Sequence, residues 1–171
     1  MKQSRAPFRH IAAAVALCIA AAPAFAGTPP GEPAFARLKQ LVGTWRGKTV
    51  AGRELTVTYR LVARDSVLVE DWNLGPGRES LTLYHMDGPG LMATHYCPLG
   101  NQPRLMLAEV TPEGRMSFAF RDATNLASPD DAHQHSFWIS FDGPDRMTRS
   151  ETYREKGEDG TEEVTFIRSR P

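Results

Sequence analysis

The sequence predicts an all-β fold: a ten-stranded antiparallel up-and-down barrel with a short N-terminal helix. Three observations predict it. From Thr44 onward apolar and polar residues alternate with period two, as in strands that bury one face. The alternating runs are short and divided by Gly-, Asp- and Pro-bearing turns of hairpin type. No alternation of strands with helices and no internal repeat interrupts them. Sequential antiparallel strands can remove both sheet edges by closing on themselves, which favours a barrel. A two-sheet sandwich is the rival, since strand spacing fits it equally.

The elements follow in order. Residues 1–26 read as an export leader: Lys2, Arg5 and Arg9 precede an apolar run from Ile11 to Ala22 too short to span a bilayer. Ala24-Phe25-Ala26 predicts cleavage before Gly27, with the periplasm or medium as destination. Cys18 follows Leu17 rather than the small residue a lipid anchor requires. Residues 27–33 form a Pro/Gly-rich flexible entry, and 34–171 the barrel domain. Phe35, Leu38, Leu41 and Val42 share one face of a short amphipathic helix that Gly43 ends. Strands are expected at 44–50, 53–62, 66–73, 80–86, 91–97, 104–110, 115–121, 133–141, 146–153 and 162–168. The last turn falls at Asp159-Gly160, and 122–131 is a loop or short helix at a barrel mouth.

The full chain carries 20 basic and 20 acidic residues. The leader removes Lys2, Arg5 and Arg9 and no acid, so the mature chain is slightly acidic. That points away from nucleic acid and from anionic membrane surfaces, and no later run is long and apolar enough for membrane insertion. Cys97 is left without an intrachain partner, so it is buried, paired between chains, or reactive.

The stretch Leu41-Val-Gly-Thr-Trp-Arg-Gly47, a helix running into Gly-x-Trp on the first strand, resembles the calycin superfamily of lipocalins, fatty-acid-binding proteins and haem-binding nitrobindins. The resemblance implies that Trp45 plugs the closed end and that a basic residue of the last strand, Arg168 or Arg170, packs across it as a cation–π pair. Ten strands look more like nitrobindin than like an eight-stranded lipocalin. Nitrobindins hold haem through a C-terminal histidine, and this chain has none after His135. A haem ligand would have to be His85, His95, His133 or His135. Tyr84 to Arg104 also resembles a set of uncharacterised secreted bacterial proteins with a YHxDGxxLxxTHYCxxGNQPR-like core.

A barrel of this size implies a cavity. His95 and Cys97 share a strand face with Leu91 and Ala93. Whether His85 joins them depends on hairpin register. A three-residue loop pairs it with Ala93 and puts all three on one surface; a four-residue loop pairs Tyr84 with Ala93 and turns His85 away. The three residues could hold zinc or copper, supply a thiol nucleophile with its base, line a ligand cavity, or be ordinary interior residues. His133 and His135 share a face with Phe137, Ile139 and Phe141, as a metal pair or a polar strand end. Asn101 and Gln102 either bond backbone groups of their turn or reach the mouth. Arg149 and Glu151, with Glu70 or Asp71, could supply buried charges, but solvated outer-face charges are the expected reading.

The expected function is binding of a small, largely apolar molecule by His85, His95, Cys97, His135 and Phe137. The alternatives are haem or metal binding through His95 or His135, a small-molecule isomerase or hydrolase using His95 and Cys97, and a purely structural interaction module.

Overall fold

A computed structural model describes residues 31–75 and 77–170; the expected leader lies outside them. The helix α1 (Gly31–Leu38) runs into a single 3₁₀ turn (Lys39–Leu41). It begins within the stretch expected to be a flexible entry. Its buried face, Ala34, Phe35, Leu38 and Leu41, packs into one end of the barrel.

Ten strands follow: β1 (Gly43–Lys48), β2 (Glu54–Val62), β3 (Val67–Asn73), β4 (Ser80–Asp87), β5 (Gly90–Tyr96), β6 (Gln102–Val110), β7 (Met116–Thr124), β8 (His133–Phe141), β9 (Arg146–Glu155) and β10 (Glu158–Arg168). Each pairs antiparallel with its sequence neighbours, and β1 closes on β10 through Trp45–Arg168. The sheet is therefore a closed barrel, not a sandwich. Closure pairs both edge strands.

Turn chemistry sets the registers. Between β4 and β5, Gly88 has φ +58° and Pro89 is held at negative φ by its ring, the pattern of a two-residue hairpin turn. Asp87 then pairs with Gly90, Tyr84 with Ala93 and His85 with Met92. At the last hairpin the turn is Lys156-Gly157, both at positive φ, rather than Asp159-Gly160. Asp159 and Gly160 instead lie in the ladder, opposite Arg154 and Tyr153. β7 continues to Thr124, so the mouth loop starts later than expected.

The barrel has two unlike ends. At one, α1, Trp45 and the β2–β3, β4–β5 and β8–β9 turns close the interior. Trp45 is buried and donates from Nε1 to the Leu41 carbonyl at 2.7 Å. Arg168 lies over its ring at 4.2 Å and donates to the Val42, Gln40 and Pro144 carbonyls. Arg170 is exposed and pairs with Asp145. The opposite end, ringed by the β1–β2, β3–β4, β5–β6, β7–β8 and β9–β10 connections, is where a cavity opens.

Candidate functional site

Period-two alternation sends every second side chain inward. On β2 to β5 this builds a level row: Tyr59 pairs with Glu70, Glu70 with Thr82 and Thr82 with His95. From the far wall, Arg149 on β9 reaches across to Glu70. Its Nη1 donates to Glu70 Oε2 at 3.0 Å and to Tyr84 Oη at 2.9 Å; its Nε donates to Glu151 Oε1 at 2.8 Å. Glu70 also accepts from Trp72 Nε1 and from Tyr84 Oη, both at 2.7 Å. The guanidinium lies 4.3 Å from the Phe137 ring and 5.6 Å from the Trp72 ring. Arg149 and Glu70 are 1% and 0% exposed, which overturns the expectation of solvated outer-face charges.

The electrostatics follow from burial and pairing. Desolvation alone would pull the Arg149 guanidinium down, but Glu70, Tyr84 and Glu151 outweigh it and hold it well above its ordinary value. Burial pushes the Tyr84 phenol up. The guanidinium is therefore held charged against Glu70, with a neutral phenol bonded to both.

Above this floor, toward the open end, lies a cavity of about 320 Å³. Leu55, Trp72, Leu74, Val164 and Phe166 give it apolar walls, with Cys97 and Tyr153 on one side. Arg149 and Glu151 form its polar base, and Arg53, Arg78 and Glu162 stand at its rim. Such a volume sits at the lower end of the small-molecule range, and apolar walls around a few convergent polar groups are the usual make-up of a ligand site.

The predicted site residues separate. Cys97 lines the cavity. His95 lies behind it, 2% exposed, with Nδ1 3.1 Å from Thr82 Oγ1 and Nε2 3.2 Å from Tyr153 Oη. Both ring nitrogens thus have protein partners. Burial lowers the His95 imidazole and raises the Cys97 thiol, so the two do not form a thiolate–imidazolium pair. His85 is on the outer face, where Nδ1 lies 3.0 Å from the Met86 carbonyl; the Gly88-Pro89 turn fixes the register that turns it away from His95 and Cys97. Phe137 supports the floor, stacked on Phe118 at 4.5 Å and under Arg149. His135 lies outside the cavity. It stacks on Phe120, and its Nδ1 is 3.3 Å from Nε2 of His133, which donates from Nδ1 to the Asp131 carbonyl. Asn101 and Gln102 bond the Ala132 and Gly100 carbonyls. Among the described residues no three His, Cys, Asp or Glu side chains converge as ligands for an ion.

No protein-family model and no curated protein matches the chain. Among solved structures it is similar to the crystal structure of Rv2717c from M. tuberculosis, at 18% identity over 82% of this chain and 99% of that one, with a TM-score of 0.52. That likeness is one of fold. The architecture fits a calycin-like barrel in general, and the fold is compatible with ligand binding. No helix among the described residues is long and apolar enough to cross a membrane.

Proposed function

We propose that the protein is a secreted or periplasmic binding protein that holds a small, largely apolar molecule in the open end of its barrel. The observation that carries this reading is the cavity of about 320 Å³, with apolar walls over a buried polar base. The residues expected from sequence contribute unequally: Cys97 belongs to the wall, Phe137 to the support of the base, and His95 holds Tyr153 in place. Arg149, Glu151, Trp72 and Tyr153 take the larger part. Within the calycins the ten-strand count, the Gly-x-Trp start and the Arg168 stack support a nitrobindin-like construction. Its ligand set differs, because His95 is engaged at both nitrogens and His135 lies outside the cavity.

The test is titration of the mature protein with the neutral, environment-sensitive dye N-phenylnaphthylamine. Saturable fluorescence enhancement is expected, and Leu74→Trp, which fills the cavity from its wall, is expected to abolish it. No enhancement, or enhancement unchanged in Leu74→Trp, would refute the cavity as the site. Native mass spectrometry of the protein from its own host then identifies a retained lipophile, and sequencing of its N-terminus reads export and cleavage before Gly27.

A further inference from the structure

The base of the cavity has a hydrogen-bonding demand that says what the ligand carries. Arg149 has five N–H donors. Nε serves Glu151 and Nη1 serves Glu70 and Tyr84, while Nη2 is buried with no partner in the protein. Phe137 and Trp72 flank the guanidinium, so its edge is what remains for a ligand. A buried donor without an acceptor is costly, and Arg149 lines the cavity.

The charge around that nitrogen is already committed. Glu70 and Glu151 both sit on the one guanidinium, so the cluster carries one cation and two carboxylates. A third carboxylate at Nη2 would be desolvated beside two others, sharing a cation already neutralised. An ammonium group would answer the surplus negative charge but would set donors against donors at Nη2. The remaining charges, Arg53, Glu162 and Arg78, stand at the rim, and Arg53 is paired with Glu162 at 3.3 Å.

Resting on the cavity reading above, we infer that the ligand is uncharged at its buried end and presents a carbonyl or hydroxyl oxygen to Arg149 Nη2. Fatty alcohols, ketones and esters are the class that fits. Free fatty acids are selected against, although the site contains a buried arginine.

Displacement of N-phenylnaphthylamine by decanol, octyl methyl ketone and decanoic acid near neutral pH tests it. The chains are matched in length, and the ketone offers an acceptor alone. The alcohol and the ketone are expected to bind about tenfold or more tightly than decanoate, a difference of ~1.4 kcal/mol. Glu151→Gln is nearly isosteric and removes one of the two competing carboxylates. It should shift the preference toward decanoate, raising its affinity relative to decanol about tenfold. Decanoate binding as tightly as decanol in the wild type would overturn the inference and leave the cavity reading intact. So would a decanoate affinity insensitive to Glu151→Gln but lost in Arg78→Ala, which would place the head group at the rim. Failure of the dye and all three compounds to bind would instead overturn the cavity reading on which the inference rests.

Discussion

The Glu70–Arg149 pair makes the sharpest prediction about stability. Removing one member of a buried ion pair leaves the other charged in a low-dielectric interior, at a cost of ~3–5 kcal/mol. Here the loss compounds. Arg149→Met deprives Glu70 of its counter-charge, and Glu70→Leu deprives Trp72 Nε1 and Tyr84 Oη of their acceptor as well. Each single variant is expected to lose ~3–5 kcal/mol, which for a domain of this size lowers Tm by ~10 °C or more. The double variant removes both charges. It leaves two donors short of an acceptor, at roughly 1–3 kcal/mol each, while Glu151, a quarter exposed, turns to solvent. The double variant should therefore lose less than the two singles together, with a coupling of at least ~2 kcal/mol. Urea unfolding followed by tryptophan fluorescence gives all four corners of the cycle, with Trp72 reporting from within the network. Additivity within ~0.5 kcal/mol, or a cost below ~1 kcal/mol for Arg149→Met, would refute the buried pair as described.

Other outcomes test the two ends of the barrel. Arg168→Ala should cost ~2–3 kcal/mol in urea unfolding, since it uncovers Trp45 and releases the Val42, Gln40 and Pro144 carbonyls; Arg168→Lys should recover less than half, because an ammonium cannot span that fork. Gly47→Ala should cost ~1–3 kcal/mol, as its Cβ would lie 2.7 Å from Val164 Cγ1 and 2.8 Å from Phe166 Cδ1 inside the closed wall. His95 is held below its ordinary value by burial, so its contribution is intact above about pH 6.5 and is lost as pH falls through the lower folded value. Tm should therefore drop between about pH 7 and pH 5, and His95→Gln should flatten that slope. The Cys97 thiol, pushed up by burial, should react with a maleimide more slowly than a free cysteine and need more alkaline pH; a fast, pH-insensitive reaction would contradict its surroundings.

The fold was legible because alternation and turn chemistry are local. Strand positions follow from runs such as Leu55, Val57, Tyr59 and Leu61; closure is only favoured by the sequence, and the β1–β10 pairing decides it against a sandwich. The site was legible only in part. His85 was undecided because a one-residue difference in loop count flips a whole strand, and the deciding fact was the fixed negative φ of Pro89 beside a Gly88 free to be positive. Arg149 and Glu70 were misassigned because charge alone suggests solvent. The missed signal was in the alternation: Glu70 shares its face with Leu68 and Trp72, both buried, and Arg149 shares its face with Met147. A charge on the bulky apolar face of a strand has to be buried, and two of opposite sign on distant strands call for one another. No sequence rule supplied their contact, which depends on which strands face across the closed barrel.

The buried cluster also explains why the interior is divided. Side chains from Leu38, Leu41, Trp45, Tyr84 and Phe118 fill the helix end, and none of them is more than 1% exposed. The row from Tyr59 through Glu70, Thr82 and His95, met by Arg149 from the far wall, lies directly above that packed layer. A wholly apolar layer at this level would be easier to stabilise, since buried ion pairs are often no more stable than hydrophobic replacements. An apolar layer would also give an entering molecule no direction. The Arg149 edge gives the cavity one fixed polar point at its deepest part, held by Glu70, Glu151 and Tyr84 against collapse and flanked by aromatic rings. A ligand that satisfies Nη2 must enter with its oxygen first and leave its apolar remainder against Leu55, Leu74, Val164 and Phe166. Orientation then comes from the floor and affinity from the walls. Substitutions at Glu151 should therefore change which head group is accepted, and substitutions at Leu74 should change how much apolar chain the site can hold.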